Sequence, residues 1–354
     1  MRMSGASGAE NHLVELAAAL SEHGWRSDVL IPSPRPEHLA HLVKRLVRVC
    51  ELVQVMPMRH DVSPRLLARL VKLLRSGRYD IAHAHLVHAD LHLALASALT
   101  RQVPLVSSKH APDRFRCSTP FRVIERLALH RYSAVIGISS AQSQFTQDWT
   151  RTSPVTIHYG LGPLTDNPPE RNSPSITRLL AVGRLEEMKG FDVALEAMRL
   201  IRRSAPHVRL AIAGEGSQRT YLTEAIWRLG LEDSVSLLGE RDDVPDLMRD
   251  ADVFVHPTRW EGFGLVLLEA MRAGLPVVAS RVSAVPEVIE DGVTGILVPP
   301  DDPEALASAL LRLVCDLPLC RKMGTAGFRR LKERFSPEAM GHRTAEVYES
   351  VVRL

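Results

Sequence analysis

The amino-acid sequence predicts an α/β protein made of two domains, each built on a parallel β-sheet. Short apolar runs alternate with amphipathic helical stretches along the whole chain, and this alternation is typical of parallel strands covered by helices on both faces. The chain has 354 residues, which favours two domains because single hydrophobic cores usually stop growing near ~250–300 residues. The stretch after residue 160 is polar and rich in proline and glycine, as an interdomain linker would be.

The period of the apolar residues predicts the individual elements. Short apolar runs predict strands at 27–31, 80–84, 104–107, 134–138, 179–182, 208–213, 234–238, 252–256, 276–279 and 295–298. Helical spacing predicts helices at 11–23, 65–76, 191–203, 219–229 and 303–314. A last helix, 336–352, follows the start signal RFSPE.

These elements define two Rossmann-like domains, at 1–160 and 176–335, with a linker at 161–175 and a cleft between the domains. Residues 336–354 form a C-terminal helix that we expect to return to the N-terminal domain. The sequence shows no internal repeat and no low-complexity tail.

The start of the chain is unusual for this fold class. Such a domain normally opens with an apolar strand that runs into its first glycine turn, whereas SGASGAEN (4–11) follows only Met1 to Met3. A missing central strand would leave buried backbone groups unpaired at about 1–3 kcal/mol each, and we find no spare apolar strand in 1–160. We therefore expect the native protein to begin upstream of Met1. The alternative is a truncation that leaves a groove beside strand 80–84.

Composition and cysteine spacing argue against several classes of protein. No apolar run approaches the ~20 residues that span a bilayer, and no basic-then-apolar leader precedes the first helix, so we expect neither a membrane span nor a signal peptide. The four cysteines are not spaced as zinc ligands and are interpreted as reduced thiols. These features predict a cytoplasmic protein.

Charge is unevenly distributed along the chain. The net charge is +3, but residues 1–160 carry 20 Lys and Arg against 12 Asp and Glu, and the remainder carries 24 against 29. Segments 41–52, 65–79 and 113–131 place basic residues beside apolar or aromatic stripes, which predicts helices that lie on an anionic membrane surface. The alternative is that these stripes pack on the sheet. We expect no nucleic-acid partner.

One candidate binding loop lies in AVGRLEEMKGF (181–191), where a strand is followed by a glycine turn. Arg184 and Lys189 flank the start of the next helix, where basic residues oppose the helix dipole. An anionic ligand such as a diphosphate would offset their charge; the alternative is a pair of solvated basic residues. A similar turn follows the strand at 208–213.

A second candidate loop lies in TRWEGFGLVLLEAMRAGLPVVAS (258–280). Glu261 falls on a strand-to-helix loop at the carboxyl end of the sheet, where such sheets bind ligands. Glu269 lies one turn inside the following helix, among apolar residues, where a buried carboxylate needs a partner such as the ribose hydroxyls. The alternatives are a surface position for Glu269 and a helix-capping acid for Glu261.

Two further patterns resemble metal sites. HAHLVHADLH (83–92) is rich in histidine, but no cysteine or paired carboxylate completes a defined site, so we expect no metal there. Asp250-Ala251-Asp252 looks like a DxD motif, but it precedes a buried strand with no partner acids nearby. We interpret it as structural.

Together these motifs resemble the retaining GT-B glycosyltransferases of family 4, the glycosyl transferases group 1. The resemblance is carried by the spacing of Glu261 and Glu269 and by GRLEEMKG, HPTRWEGFG, GLPVVAS, VPEVIEDGVTGILV and SGASGAEN. It covers nearly the whole chain and is most specific over 179–300. It implies a GT-B fold, in which two Rossmann-like domains face each other across a cleft and the C-terminal domain holds a nucleotide-diphosphate sugar.

The resemblance also implies residue roles. Glu261, which would bind hydroxyls of the donor sugar, and His110, near that sugar, would be catalytic. Arg184 and Lys189 would neutralise the diphosphate, and Glu269 would bind the ribose. The full set of donor contacts would be Gly8, Arg184, Lys189, Arg241, Gly262, Phe263, Gly264, Leu265 and Glu269, with Arg241 against the base, Gly8 near the phosphates and His85 in the cleft wall.

The implied reaction moves a hexosyl unit to a glycan, lipid-linked or small-molecule acceptor with retention of configuration. No acidic residue is an evident covalent nucleophile, so same-face attack with the leaving phosphate as base is favoured. The donor is a co-substrate, and neither a metal nor a cofactor is expected. The alternatives are a non-catalytic sugar-nucleotide-binding or partner protein with a truncated N-terminal domain, and a sugar-nucleotide epimerase, which would need further catalytic acids.

Overall fold

The computed structural model describes residues 8–58, 60–100, 103–110, 119–169 and 177–353. The chain divides into two compact units: unit 1 comprises residues 1–160 and 336–354, and unit 2 comprises residues 161–335. The predicted glycine turn before Gly8, residues 113–118 of the basic aromatic segment and residues 170–175 of the predicted linker lie outside the described residues.

Unit 1 is built on parallel strands and the helices that cover them. Its strands are β1 (Asp28–Ser33), β2 (Leu52–Pro57), β3 (Ala82–His85), β4 (Leu105–Lys109), β5 (Ala134–Gly137) and β6 (Val155–Thr156). Its first six helices are α1 (Gly8–Glu22), α2 (Ala40–Leu46), α3 (Pro64–Leu74), α4 (Val87–Ala98), α5 (Thr119–Leu129) and α6 (Ser140–Thr150). Residues Pro36–Leu39 form a 3₁₀ turn before α2.

The strands of unit 1 form two parallel sheets, one of β1 and β2 and one in the order β3-β4-β5-β6. Within the described residues, no strand pairing joins the two sheets. β2, which was not predicted as a strand, pairs with β1 along its length and does not pair with β3 in the described part of the chain. The predicted helix at 41–52 is shorter in the structure: α2 ends at Leu46, and the strand β2 begins at Leu52.

Unit 2 holds the larger sheet. Its strands are β7 (Arg178–Val182), β8 (Arg209–Ala213), β9 (Val235–Gly239), β10 (Val253–His256), β11 (Val277–Ser280) and β12 (Gly295–Val298). Its helices are α7 (Phe191–Ile201), α8 (Arg219–Leu229), α9 (Val244–Asp250), α10 (Leu265–Arg272), α11 (Val285–Val288), α12 (Pro303–Cys315) and α13 (Leu317–Arg334). A short 3₁₀ turn, Glu187–Lys189, precedes α7.

The order of strands in unit 2 determines where a ligand can bind. The sheet runs β12-β11-β10-β7-β8-β9, and every pair is parallel. Successive strands are added on one side of β7 up to β9 and on its other side from β10 onward. The loops after β7 and β10 therefore meet at the topological switch point, where open α/β sheets bind ligands.

The last helix of the chain, α14 (Pro337–Val352), packs against α1 in unit 1. The Ser336 hydroxyl accepts a hydrogen bond from the backbone N–H of Ala339 at 3.1 Å and so caps the helix. Gly341 lies directly against Ala19 of α1, where a β-carbon would come within 2.6 Å of the Ala19 side chain. The predicted class, α/β with two Rossmann-like units on parallel sheets, is confirmed.

Candidate functional site

The loop between β7 and α7 is fixed on one side by the loop that follows β8. The backbone N–H of Leu185 donates to the carbonyl of Glu215 at 2.9 Å, and that of Gln218 donates to the carbonyl of Leu185 at 2.8 Å. Glycines make this close approach possible: a β-carbon on Gly214 would lie 1.9 Å from the carbonyl oxygen of Gly183. The loop is therefore a rigid support for the residues it carries.

On its other side the same loop is joined to the loop between β10 and α10. The Thr258 hydroxyl and the Arg259 N–H both donate to the carbonyl of Met188, at 2.9 and 2.8 Å. Gly190 has φ +63°, and a β-carbon there would lie 2.0 Å from the carbonyl oxygen of Pro257. These contacts bring the predicted residues Lys189 and Glu261 together.

Arg259 ties the two loops together a second time. Its guanidinium donates to both carboxylate oxygens of Asp192, at 3.0 and 2.7 Å, and to Asp301 at 2.6 Å. It also donates to the backbone carbonyl of Glu187. A planar guanidinium with several fixed acceptors is a specific connector, so Arg259 stabilises the joint beside the site.

Glu261 is held by two donors on one of its oxygens. Lys189 Nζ donates to Glu261 Oε2 at 2.6 Å, and His256 Nε2 lies 3.0 Å from the same oxygen. Burial alone would raise the pKa of Glu261, but Lys189 and His256 together lower it to about 2. Glu261 is therefore a carboxylate at neutral pH. Within the described part of the chain, Oε1 accepts no hydrogen bond.

The residues after Glu261 form the start of α10. Gly264 has φ +88° and lies next to Leu267, where a β-carbon would come within 2.8 Å of that side chain. Phe263 is buried and packs edge-on against Phe335. Leu265 is the first residue of α10, and Glu269 lies half-buried one turn later. The glycine turn thus leads into a helix N-terminus, which favours anions.

Two of the predicted donor-binding residues, Arg184 and Arg241, are not part of the Lys189–Glu261 contact. Arg184 is exposed in the β7–α7 loop. Arg241 follows β9, two strands from β7, and its guanidinium pairs with Asp243, with Nε 2.7 Å from Oδ1. The structure therefore brings Lys189, Glu261 and the start of α10 together, whereas Arg241 lies at the edge of the sheet.

His110 and His85 lie in a histidine cluster of unit 1. His85 Nδ1 is 3.0 Å from His110 Nε2, and His110 Nδ1 is hydrogen-bonded to the Tyr159 hydroxyl. His83 bonds to the Tyr348 hydroxyl at 2.6 Å, and His12 stacks on Tyr159 with ring centroids 4.1 Å apart. Both ring nitrogens of His110 are thus engaged within unit 1.

The rings of this cluster are neutral at neutral pH. Burial lowers the pKa of His85 to about 4. Burial, followed by repulsion from neighbouring histidines, also lowers the pKa of His12, His83 and His110. A neutral ring has one N–H donor and one acceptor nitrogen, so His110 donates one of its bonds to Tyr159 and His85 and accepts the other.

The two patterns that resembled metal sites have internal partners. Asp252 Oδ2 accepts the backbone N–H groups of Thr177 and Arg178, both at 2.9 Å, and so ties β10 to the start of β7. This confirms the structural interpretation of the DAD motif. His92 Nε2 accepts the N–H of Ser63 at 3.0 Å, and His92 therefore lies in a different contact from His83 and His85.

Sequence reasoning missed three residues of this region. His256 and Arg259 stand inside the quoted HPTRWEGFG motif, so their position beside Glu261 was a usable signal. Tyr159 offered none, because it is 49 residues from His110 and meets it only through the packing of unit 1. Among the described residues, no helix is both long and apolar enough to cross a bilayer.

Comparison with known proteins identifies the two halves separately. The family model for "Glycosyl transferases group 1" matches residues 168–330, and that for "Glycosyltransferase Family 4" matches residues 6–160. The glycogen synthase of Mycobacterium tuberculosis H37Rv is 31% identical over 297 residues, covering 79% of this chain and 70% of that protein. The phosphatidyl-myo-inositol mannosyltransferase of Mycobacterium leprae is 28% identical over 353 residues, covering 97% and 93%.

Solved structures match over the whole length. The Anabaena HepE structure in complex with UDP has a TM-score of 0.80 at 25% identity and covers 99% of this chain and 98% of HepE. HepE in complex with UDP and glucose has a TM-score of 0.83 at 24% identity with the same coverage. The sucrose-phosphate synthase of Thermosynechococcus elongatus has a TM-score of 0.76 at 22% identity and covers 98% and 94%.

Proposed function

The chain belongs to glycosyltransferase family 4, the glycosyl transferases group 1, and from that premise we infer that it transfers a hexosyl unit from a nucleotide-diphosphate sugar with retention of configuration. The observation that carries this inference is the pairing of Lys189 with Glu261 at the switch point of the unit 2 sheet. A fixed cation and a fixed carboxylate side by side suit a ligand with an anionic part next to a hydroxylated part.

The donor is proposed to bind along the loops after β7 and β10. Lys189 and the exposed Arg184 neutralise the diphosphate, and the backbone N–H groups of residues 262–265 face its oxygens at the start of α10. Glu261 accepts a sugar hydroxyl through Oε1, which has no hydrogen-bond partner among the described residues. Glu269 accepts the ribose hydroxyls. Arg241 contacts the base. Its pairing with Asp243 engages the edge of the guanidinium, and the flat face remains for stacking on the base.

For the residues of unit 1 we propose the roles that the resemblance implies. His110 is proposed to contact the donor sugar, Gly8 at the start of α1 to approach the phosphates, and His85 to line the donor side of the unit. Because both ring nitrogens of His110 are engaged, a contact through the ring requires one of these bonds to be exchanged for the ligand.

Charge development defines what these residues do in the reaction. Negative charge builds on the leaving diphosphate as the glycosidic bond breaks. Lys189 carries three N–H groups and donates one of them to Glu261, so the others can stabilise that charge without loss of the carboxylate. Loss of one such well-placed donor typically costs on the order of 10²–10³ in rate. The leaving phosphate takes the acceptor proton in the proposed same-face attack.

The nucleotide is proposed to be UDP. The support is indirect: HepE, which is similar over the whole chain, was solved with UDP. The related M. leprae protein is named a phosphatidyl-myo-inositol mannosyltransferase, which supports a lipid-linked acceptor. The decisive measurement is a donor screen in which hydrolysis of UDP-glucose, UDP-galactose, UDP-N-acetylglucosamine and GDP-mannose is compared for the intact protein.

The variant Glu261→Ala tests the site assignment in the same hydrolysis assay. It is expected to lower turnover at least tenfold with the fold intact, while Glu224→Ala on α8 serves as a control with no contact to the site. Near-wild-type transfer by Glu261→Ala at saturating donor would refute the site assignment. Tight nucleotide-sugar binding without hydrolysis or transfer to any acceptor would instead favour the non-catalytic binding protein.

The acceptor is proposed to be presented at an anionic membrane on the cytoplasmic side. In helix α5 the usual burial pattern is reversed, because a charged side chain is buried and apolar side chains are exposed. Glu125 is 2% exposed, whereas the exposed fractions of Val123, Ile124 and Leu127 are 53%, 52% and 64%. Leu95 of the neighbouring α4 is exposed, and so is Leu99 directly after it. The exposed cations Arg122 and Arg131 of unit 1 belong to the same region of the chain. Apolar side chains beside cations are the composition of an interfacial helix.

The other two predicted membrane segments pack inward. Leu42 and Leu46 of α2, and Leu66 and Leu74 of α3, are buried in the cores of unit 1. Of the three predicted membrane segments, only α5 therefore supports the membrane proposal.

Sedimentation with vesicles of phosphatidylcholine, with and without phosphatidylglycerol, tests the membrane proposal at low salt. Leu127→Asp is expected to weaken binding about tenfold or more, and Leu164→Asp, equally exposed in unit 2, to leave it unchanged. Equal sedimentation with both vesicles would refute the proposal.

A further inference from the structure

The two oxygens of Glu261 are not equivalent. Oε2 receives both available donors, Lys189 at 2.6 Å and His256 at 3.0 Å. Oε1 receives none within the described part of the chain. This asymmetry suits a carboxylate that accepts a bond from a ligand, because one oxygen is held while the other is presented.

His256 is the more rigid of the two donors. It is the last residue of β10, a strand paired on both sides, and it pairs with Ala279 of β11. Its side chain is 2% exposed and its ring stacks near Phe254. Lys189, in contrast, reaches Glu261 through a flexible four-carbon stem from a short 3₁₀ turn.

The protonation of His256 fits a donor role. Burial lowers its pKa, and the effect of Glu261 offsets this only in part, so the ring is neutral at neutral pH. A neutral ring carries one N–H, and Nε2 must carry it because the carboxylate can only accept. The charged groups that face the ring are Glu261 and Lys189.

We propose that His256 is a positioning residue that anchors Glu261 through Oε2 and thereby directs Oε1 toward a hydroxyl of the donor sugar. This rests on the proposed function, in which Glu261 binds that hydroxyl and Lys189 also faces the diphosphate. When Lys189 shares its charge with the phosphates, its hold on Glu261 weakens, and His256 keeps the carboxylate in place.

The test compares two amide substitutions that bury similar polar groups but differ in reach. The amide nitrogen of His256→Gln occupies roughly the place of Nε2 and can donate to Glu261, whereas the shorter side chain of His256→Asn cannot. For the sugar nucleotide hydrolysed fastest in the donor screen, kcat/KM is expected to fall about 10- to 100-fold in His256→Asn. His256→Gln is expected to stay within about fivefold of wild type.

A pH profile separates positioning from packing. Loss of the donor raises the pKa of Glu261, so the acid limb of kcat/KM should move to higher pH in His256→Asn and stay in place in His256→Gln. Equal loss of activity in both variants, or an unmoved acid limb in His256→Asn, would overturn the proposal. Near-wild-type activity in His256→Asn would overturn it too.

Failure of the proposed function is recognised separately through Glu261→Ala. If that variant keeps near-wild-type transfer, the site assignment is wrong whatever the His256 variants do. If Glu261→Ala is inactive and the two His256 variants behave alike, the donor site stands and the role of His256 is refuted. Thermal unfolding of each variant checks that the comparison is made on folded protein.

Discussion

The molecule contains two lysine–carboxylate groups that share their chemistry and differ in their surroundings. In unit 1, Lys109 Nζ lies 2.6 Å from Asp90 and 3.3 Å from Glu125, and all three side chains are at most 3% exposed. In unit 2, Lys189 lies 2.6 Å from Glu261, and their side chains are 15% and 14% exposed. The first group is fully enclosed, whereas the second lies at the carboxyl edge of a sheet.

Hydrogen-bond satisfaction separates the two groups as clearly as burial does. Asp90 Oδ1 accepts from the Ser107 hydroxyl at 2.7 Å while Oδ2 accepts from Lys109, so both oxygens are used. Among the described residues, Glu261 accepts hydrogen bonds through Oε2 alone. A lysine–carboxylate pair with every acceptor satisfied contributes to the fold, and one with an open acceptor is available to a ligand. This difference can be tested by substitutions in each of the two groups.

The largest effect is expected in the enclosed group. Lys109→Ala leaves two buried carboxylates without their cation, and breaking such a buried group costs about 3–5 kcal/mol. The free energy of unfolding, followed by urea denaturation, should fall by that amount, while the exposed Lys322→Ala should change it by less than about 0.5 kcal/mol.

A rescue experiment identifies the cause of that loss. Adding Asp90→Asn and Glu125→Gln to Lys109→Met removes the uncompensated charges and should restore part of the stability. A Lys109→Ala protein that is as stable as wild type would show that the enclosed group does not stabilise unit 1.

A smaller effect is expected where the two loops of unit 2 join. Gly190→Ala places a β-carbon 2.0 Å from the Pro257 carbonyl in a left-handed conformation. The backbone must therefore move, and we expect the contact between Lys189 and Glu261 to be disturbed. Gly292 has φ +75° with open space around it, so Gly292→Ala should cost only the conformational term of about 1–2 kcal/mol. Donor hydrolysis should fall at least tenfold in Gly190→Ala and stay normal in Gly292→Ala; equal rates would refute the role of this joint.

A smaller effect is expected from pH: mild acid should lower the stability of unit 1 gradually, and by more than that of unit 2. Four buried histidines of unit 1 have a lowered pKa, with His85 at about 4, so the unfolded chain binds more protons below pH 6.5. Stability is therefore full above about pH 6.5 and is lost as pH falls toward 4.

Unit 2 responds differently in the same window. The Glu261 carboxylate, with its pKa lowered to about 2, contributes stability that is lost only as pH falls from about 4.5 toward 2. Within its described residues, unit 2 has one buried histidine with a lowered pKa, His256, whereas unit 1 has four. Hydrogen exchange at pH 7 and pH 5 should show faster opening of β3 and β4 than of β7 and β10. An equal acceleration in both sheets would contradict this difference.

Most of the fold was predictable because its signals are local. The strands of unit 2 are short runs of valine, leucine and alanine between turns, and their predicted and observed bounds differ by one residue or less at most ends. β2 (Leu52–Pro57) was not predicted as a strand, and its pairing with β1 is a tertiary effect that no local pattern reveals. The inward position of Glu125 on α5 reverses the usual pattern, and its contact with Lys109 helps to explain it.

The site was predictable to the extent that its residues stand in one motif. Lys189 and Glu261 were both identified from their loops, yet their direct contact depends on the order of β7 and β10 in the sheet. The use of one oxygen of Glu261, and the bond between His110 and Tyr159, depend on side-chain packing across many residues of sequence. Such contacts have no local period that a sequence pattern could reveal.

The most direct test of the contrast between the two lysines measures unfolding and donor turnover on the same Lys189→Ala preparation. We expect hydrolysis of the preferred sugar nucleotide to fall on the order of 10²–10³-fold, with a loss of unfolding free energy less than half that of Lys109→Ala. Lys322→Ala should match wild type in both measurements. Near-wild-type turnover of Lys189→Ala at saturating donor, or a loss of stability as large as that of Lys109→Ala, would contradict the assignment of this pair to the donor site.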